Sequence, residues 1–150
     1  MTKPLLRPAH ASEEAFMRDC AKQAYEKYIP RIGKRPAPMM TDFGAATASD
    51  QASILEQDGH AVGYAVAYLK RDAFFVENIA ILPGAQGTGL GRFMMAALEA
   101  QARSKGARAI ELYTNAAMHE NLDFYASLGF EQTDRQVQDG FDRVFFRKEL

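Results

Sequence analysis

Cysteine, histidine and surplus charge are all scarce in this 150-residue chain, and each shortage removes a class of function. Cys20 is the sole cysteine, so no disulfide can close within the chain. The three histidines, His10, His60 and His119, have no ligand-like spacing, and no metal is expected. A formal net charge of −1 gives no general attraction to nucleic acid or to an anionic membrane, although a local basic patch is compatible with it. No apolar run approaches membrane-spanning length, and Met1-Thr2-Lys3-Pro4 does not open a secretory signal, so a cytoplasmic location is expected. No Ser-His-Asp or Cys-His arrangement is legible. Internal repeats, low-complexity tracts and linkers are missing too. One domain over 1–150 is expected, long enough to bury a core, and 47% hydrophobic with 25% charged residues suits a soluble globular protein.

The pattern that is present alternates helix and strand. Lys3 to Arg7 reads as a short strand ended by Pro8. Ser12 can cap a helix whose inner stripe is Ala15, Phe16, Cys20, Ala24 and Tyr28. Pro30, Pro36 and Pro38 predict an irregular stretch from Ile29 to Met40, with a short helical turn over Thr41 to Ala48. Strands follow at Ser53–Gln57 and Ala61–Lys70, joined by Asp58-Gly59, a strong hairpin signal. Ala73–Leu82 is the next strand, reversing near Arg71-Asp72, and Ala109–Thr114 a later one. Asn115 can cap a helix to Leu128 ended by Gly129, and a last hairpin, Glu131–Val137 with Asp142–Lys148, turns at Asp139-Gly140. Together these predict a mixed α/β sheet with helices on both faces.

The chain is organised around residues 73–106. A run of apolar, branched residues, broken only by Glu77 and Asn78, stops at Pro83-Gly84. Leu90, Phe93, Met94, Ala97 and Leu98 then recur at helical spacing until Gly106. Between them lies Gln86-Gly87-Thr88-Gly89-Leu90-Gly91-Arg92. Glycines there allow successive N–H groups to converge on an anion, and the positive end of a helix adds to the attraction. A Walker loop needs Gly-Lys-Ser/Thr and a dinucleotide fingerprint needs G-x-G-x-x-G; neither is present. From spacing alone, an ordinary tight strand-to-helix turn remains open.

Gln86-Gly87-Thr88-Gly89-Leu90-Gly91 resembles the Q/R-x-x-G-x-G/A signature of the GNAT superfamily of N-acetyltransferases. Asn121-Leu122-Asp123-Phe124-Tyr125-Ala126-Ser127-Leu128-Gly129-Phe130 is similar to that family's closing helix, and the order and separation of the two motifs also fit. The resemblance covers essentially the whole chain. It implies an α/β (α+β) fold, with a central mixed, mostly antiparallel twisted sheet of six to seven strands and a splayed strand pair, here 73–82 and 109–114, holding coenzyme A. It implies acetyl-CoA as cosubstrate, with Gln86, Gly87, Thr88, Gly89, Leu90 and Gly91 on its pyrophosphate and the backbone of Ile79, Ala80 and Ile81 along its pantetheine.

Amine attack on a thioester needs a proton acceptor, and the leaving sulfur benefits from an acid. By resemblance Tyr125 is the candidate acid beside the coenzyme sulfur; packing beside Phe124 and Leu128 is its bland alternative. Glu77, the one acid in an apolar strand, is the candidate base or acceptor contact, displaced along the face where the family's bases often lie; a carboxylate bonded to a neighbouring strand is the alternative. Arg92 and Asn121 are coenzyme candidates, set against a solvated arginine and a position that is commonly small in the family. Tyr28, Arg31 and Met39, with Tyr25, Lys34, Arg35 and Met40, fall where the family walls its acceptor site, and the cations there would suit a carboxylate-bearing acceptor. His119 is better read as a surface histidine and Cys20 as core. The implied function is direct acetyl transfer to a primary amine of a small molecule. A protein lysine or N-terminal acceptor, and a non-catalytic coenzyme A-binding sensor, are the alternatives. A homodimer is compatible with the resemblance.

Overall fold

The computed structural model describes residues 3–150. Met1 and Thr2, where the signal-sequence expectation begins, lie outside the described residues. Seven strands form one mixed sheet: β1 (Leu5–Pro8), β2 (Ala52–Gln57), β3 (His60–Lys70), β4 (Ala73–Ile81), β5 (Ala109–Asn115), β6 (Glu131–Gln138) and β7 (Phe141–Glu149). Their order is β1-β2-β3-β4-β5-β7-β6. Helices α1 (Glu14–Tyr25), α2 (Ile29–Ile32), α3 (Phe43–Ala48), α4 (Leu90–Ser104) and α5 (His119–Ser127) lie around it. The chain forms two compact units, one running to Ala67 with Asn78–Leu98, the other comprising Tyr68–Glu77 with Glu99–Leu150. Strands β3 and β4 and helix α4 contribute to both.

In the first unit, α1 starts differently from its expected cap. Ala11–Glu13 form a 3-10 turn, and Ser12 is exposed inside it. Glu13 takes the capping role instead, accepting the His10 N–H at 2.9 Å and both terminal nitrogens of Arg7. Met17, Cys20, Ala21, Ala24 and Tyr25 are buried, whereas Ala15 is exposed and Phe16 only half-buried. The stretch from Ile29 to Met40 is less irregular than its prolines imply. Pro30 sits in the first turn of α2, where its missing N–H costs nothing, and Ala37–Met40 make a second 3-10 turn. Asp42 caps α3 by accepting the Ala45 N–H at 3.0 Å. Phe43 then meets Tyr64 of β3 edge-on, with ring centroids 5.0 Å apart.

Both hairpin signals hold. Asp58 and Gly59 have φ of 54° and 79°, and Asp139 and Gly140 have 53° and 78°. Two consecutive positive φ values make the tight turn whose twist suits antiparallel strands.

In the second unit, β4 and β5 pair in parallel from Ala73/Ala109 to Val76/Leu112, while β5 continues to Asn115 against β7. The parallel ladder therefore leaves out Glu77–Ile81, as a splayed pair requires. Asn115 does not cap α5. It ends β5 and accepts the Ala117 N–H on Oδ1 at 2.9 Å, so the chain turns once more before the helix begins at His119. One face of this unit is covered by α5, where Tyr125, Phe130 and Phe146 pack together, and by the end of α4, where Glu99 pairs with Lys148 at 3.1 Å.

Candidate active site

The loop after β4 is exposed from Gln86 to Gly89. Local bonds shape it: Gln86 Nε2 donates to the Ile81 carbonyl at 2.9 Å, and Thr88 Oγ1 to the Ala85 carbonyl at 2.8 Å. Gly87 and Gly89 have φ of 78° and 85°, which L side chains rarely adopt. A Cβ built on either would meet no heavy atom within 4 Å, so the glycines leave open space rather than relieve packing. The main-chain N–H of Thr88 closes the turn over Gln86-Gly87, whereas those of Gly87, Gly89, Leu90 and Gly91 donate to no protein acceptor among the described residues. Leu90 and Gly91 open α4, so these donors stand at the positive end of a fifteen-residue helix. Four amides beside two side-chain-free positions fit a diphosphate. Arg92 is exposed on the same turn.

Upstream, the residues named for the pantetheine strand differ from one another. Ala80 is buried, and Ile79 and Ile81 are half-buried. The Ile79 carbonyl accepts a short hydrogen bond from the Tyr25 hydroxyl, which ties α1 to β4. Asn78, whose role sequence reasoning missed, is the anchor of this strand. It is 4% exposed; its Oδ1 accepts the Tyr64 hydroxyl at 2.8 Å, and its Nδ2 donates to Pro38 O at 3.1 Å and Thr41 Oγ1 at 3.0 Å. A lone amide in an apolar strand was the available signal.

Glu77 is half-buried, and its Oε1 accepts the Tyr68 hydroxyl of β3 at 3.2 Å. Burial, reinforced by the Glu77 charge, pushes the Tyr68 phenol up to about 12, so Tyr68 stays a donor to that carboxylate. The neighbouring-strand alternative for Glu77 is thus present in the structure, and it leaves the second carboxylate oxygen for other partners.

Tyr125 is buried among aromatic rings, with centroids 5.4 Å from Phe124, 5.8 Å from Phe130 and 5.9 Å from Phe146. Asn121 is half-buried; its Nδ2 donates to Thr114 Oγ1 at 3.2 Å, fastening α5 to the end of β5. Among the acceptor candidates, Tyr28 and Met39 are buried and help fill the first unit's core. Arg31 is exposed, with its guanidinium 5.1 Å from the Tyr28 ring centroid. His119 is exposed, and Cys20 is fully buried with its thiol pushed up to about 12 by burial, as a core residue requires.

Comparison with known proteins places this geometry. N-alpha-acetyltransferase 80 of Mus musculus is 39% identical over 59 residues, which is 39% of this chain and 18% of that protein. Aminoglycoside N(6')-acetyltransferase type 1 of Salmonella typhimurium is 28% identical over 100 residues, 61% of this chain and 64% of that enzyme. The chain thus spans less than two thirds of the length of these relatives. Among solved structures, a GNAT family acetyltransferase from Elizabethkingia anophelis with acetyl-CoA bound superposes with a TM-score of 0.76 at 17% identity, covering 98% of each chain, which establishes a shared fold. Residues 15–130, spanning α1 to the end of the α5 motif, match the Acetyltransferase (GNAT) family, and the chain belongs to that family.

Proposed function

We propose that the chain, acting as one catalytic domain, is an N-acetyltransferase that moves an acetyl group from acetyl-CoA to a primary amine of a small molecule by direct transfer. The observation that carries the reading is the set of unengaged amides of Gly87, Gly89, Leu90 and Gly91 at the start of α4. They would hold the diphosphate, with Gln86 and Arg92 flanking it, while Ile79–Ile81 and Asn121 border the rest of the coenzyme. The coenzyme supplies an activated acetyl thioester. In the transfer a C–N bond forms and the C–S bond breaks. Glu77 takes the proton the ammonium must lose, and Tyr125 returns one to the departing sulfur. Arg31, exposed beside the Tyr28 ring, would meet the acceptor, while Tyr28 and Met39, buried in the first unit's core, would support it from behind. Holding both reactants in place supplies several kcal/mol by itself. Similarity to an N-alpha-acetyltransferase supports a second reading, in which the acceptor is a protein N-terminus.

The test is a panel of small amines and N-terminal peptides, followed by release of free thiol from acetyl-CoA. Turnover of a small amine is expected. Gly89→Glu should abolish it by filling the loop with a side chain and a negative charge, and Tyr125→Phe should slow it by about tenfold to a hundredfold. Coenzyme binding without turnover of any amine or peptide would leave a sensor and refute the enzyme.

A further inference from the structure

Given that reading, the face of the second unit that carries Glu77 describes the acceptor. Four rings cross it as a strip, Tyr68 to Phe75 at 5.7 Å, Phe75 to Tyr113 at 5.7 Å and Tyr113 to Phe145 at 5.6 Å. A cavity of about 300 Å³ opens on this strip, with Phe75 and Phe145 among its lining residues. Flat rings stack on such a floor, and the volume suits a small ligand.

The charges of the cavity are unevenly satisfied. Glu111 accepts from Arg147 at 3.0 Å, and Asp134 accepts the Arg135 N–H and the Gln136 amide. Lys70 and Arg71, also lining residues, belong to the β3–β4 turn. The Lys70 ammonium stands 4.9 Å from the Phe75 ring centroid, and neither cation has a carboxylate partner among the described residues. Asp134 has only neutral donors among them, so two unpaired cations face one carboxylate without a cation partner; the cavity is net positive, with both cations together on the β3–β4 turn. Two residues beyond Phe75, about 7 Å along the strand, stands Glu77, fixed by Tyr68.

We propose that the acceptor is a primary amine on a flat aromatic body with a carboxylate at its opposite end. The ring lies on the Phe75 strip, the carboxylate meets Lys70 and Arg71, and the amine points to Glu77.

The test compares para-aminomethylbenzoate with para-methylbenzylamine, an acceptor of the same shape lacking the carboxylate. The acid should be turned over with at least about tenfold higher kcat/KM, and Lys70→Gln with Arg71→Gln should reduce that advantage to about threefold or less. A parallel titration with para-aminomethylbenzoate alone follows the main-chain amides of residues 70–75 by NMR; these should shift in the unaltered protein and not in the double variant. Equal turnover of both amines, or preference for a peptide, overturns the inference and leaves the acetyltransferase reading intact. Amide shifts without turnover of any amine uphold the site and refute the enzyme. Absence of both the amide shifts and the preference for the acid overturns the inference outright.

Discussion

Replacing Asn78 by alanine tests whether one buried amide ties the strand before the glycine loop to the segment that precedes α3. Asn78 makes three hydrogen bonds, to Tyr64, Pro38 and Thr41, and is 4% exposed. Each such bond contributes about 1 kcal/mol net, and a buried hydroxyl left without its acceptor costs about 1–3 kcal/mol. Tyr64 is itself fully buried, so the Asn78→Ala variant strands its hydroxyl. A loss of about 3 kcal/mol follows, a large part of the roughly 5–15 kcal/mol that holds a domain folded. Urea unfolding at constant m-value measures it. Tyr64→Phe in the same background should cost little more, because the stranded group has gone; a coupling of about 1 kcal/mol or more is expected in the double-mutant cycle. Amide exchange at Met39–Thr41 should also quicken. A loss under about 1 kcal/mol, or additive single and double variants, would refute the argument.

Gly63→Ala should destabilise by about 2 kcal/mol or more, read as a fall in Tm, because the added Cβ would lie 2.6 Å from the rigid Ala80 carbonyl. Arg7 holds the Glu13 carboxyl at about 2, against an ordinary 4.5. The folded value lies below the unfolded one, so the contribution is present above pH 4.5 and lost as pH falls towards 2. Glu13→Gln should accordingly remove roughly 1–2 kcal/mol at neutral pH and flatten acid unfolding across that window, since the pair is partly screened by solvent. Cys20 should resist a thiol reagent in the native protein and react only at the rate of global unfolding.

The features legible in the sequence were those set by local chemistry. Asp58-Gly59 and Asp139-Gly140 announce their turns because few residues tolerate two positive φ values in succession. Gly87 and Gly89 announce the loop because each takes a positive φ that other residues rarely adopt. Features set by distant partners were harder to read. The stripe of α1 keeps Cys20 and Ala24 but opens on Met17 rather than Ala15, behind a 3-10 turn that Arg7 of β1 stabilises through Glu13. Asn115 has the composition of a cap, yet the chain needs one further turn to bring α5 back, and it serves that turn. Asn78 looks like an interruption until Pro38 and Thr41, some forty residues earlier, arrive beside it. The ring strip of Tyr68, Phe75, Tyr113 and Phe145 exists only through strand order, which spacing along one chain segment does not reveal.

Titration calorimetry of coenzyme A against pantetheine, which shares its thiol arm but lacks the diphosphate, bears most directly on the role of residues 87–91. Coenzyme A should bind at least about a hundredfold more tightly, and Gly89→Glu should erase the difference. Equal affinity for the two compounds, or none for coenzyme A, would contradict it.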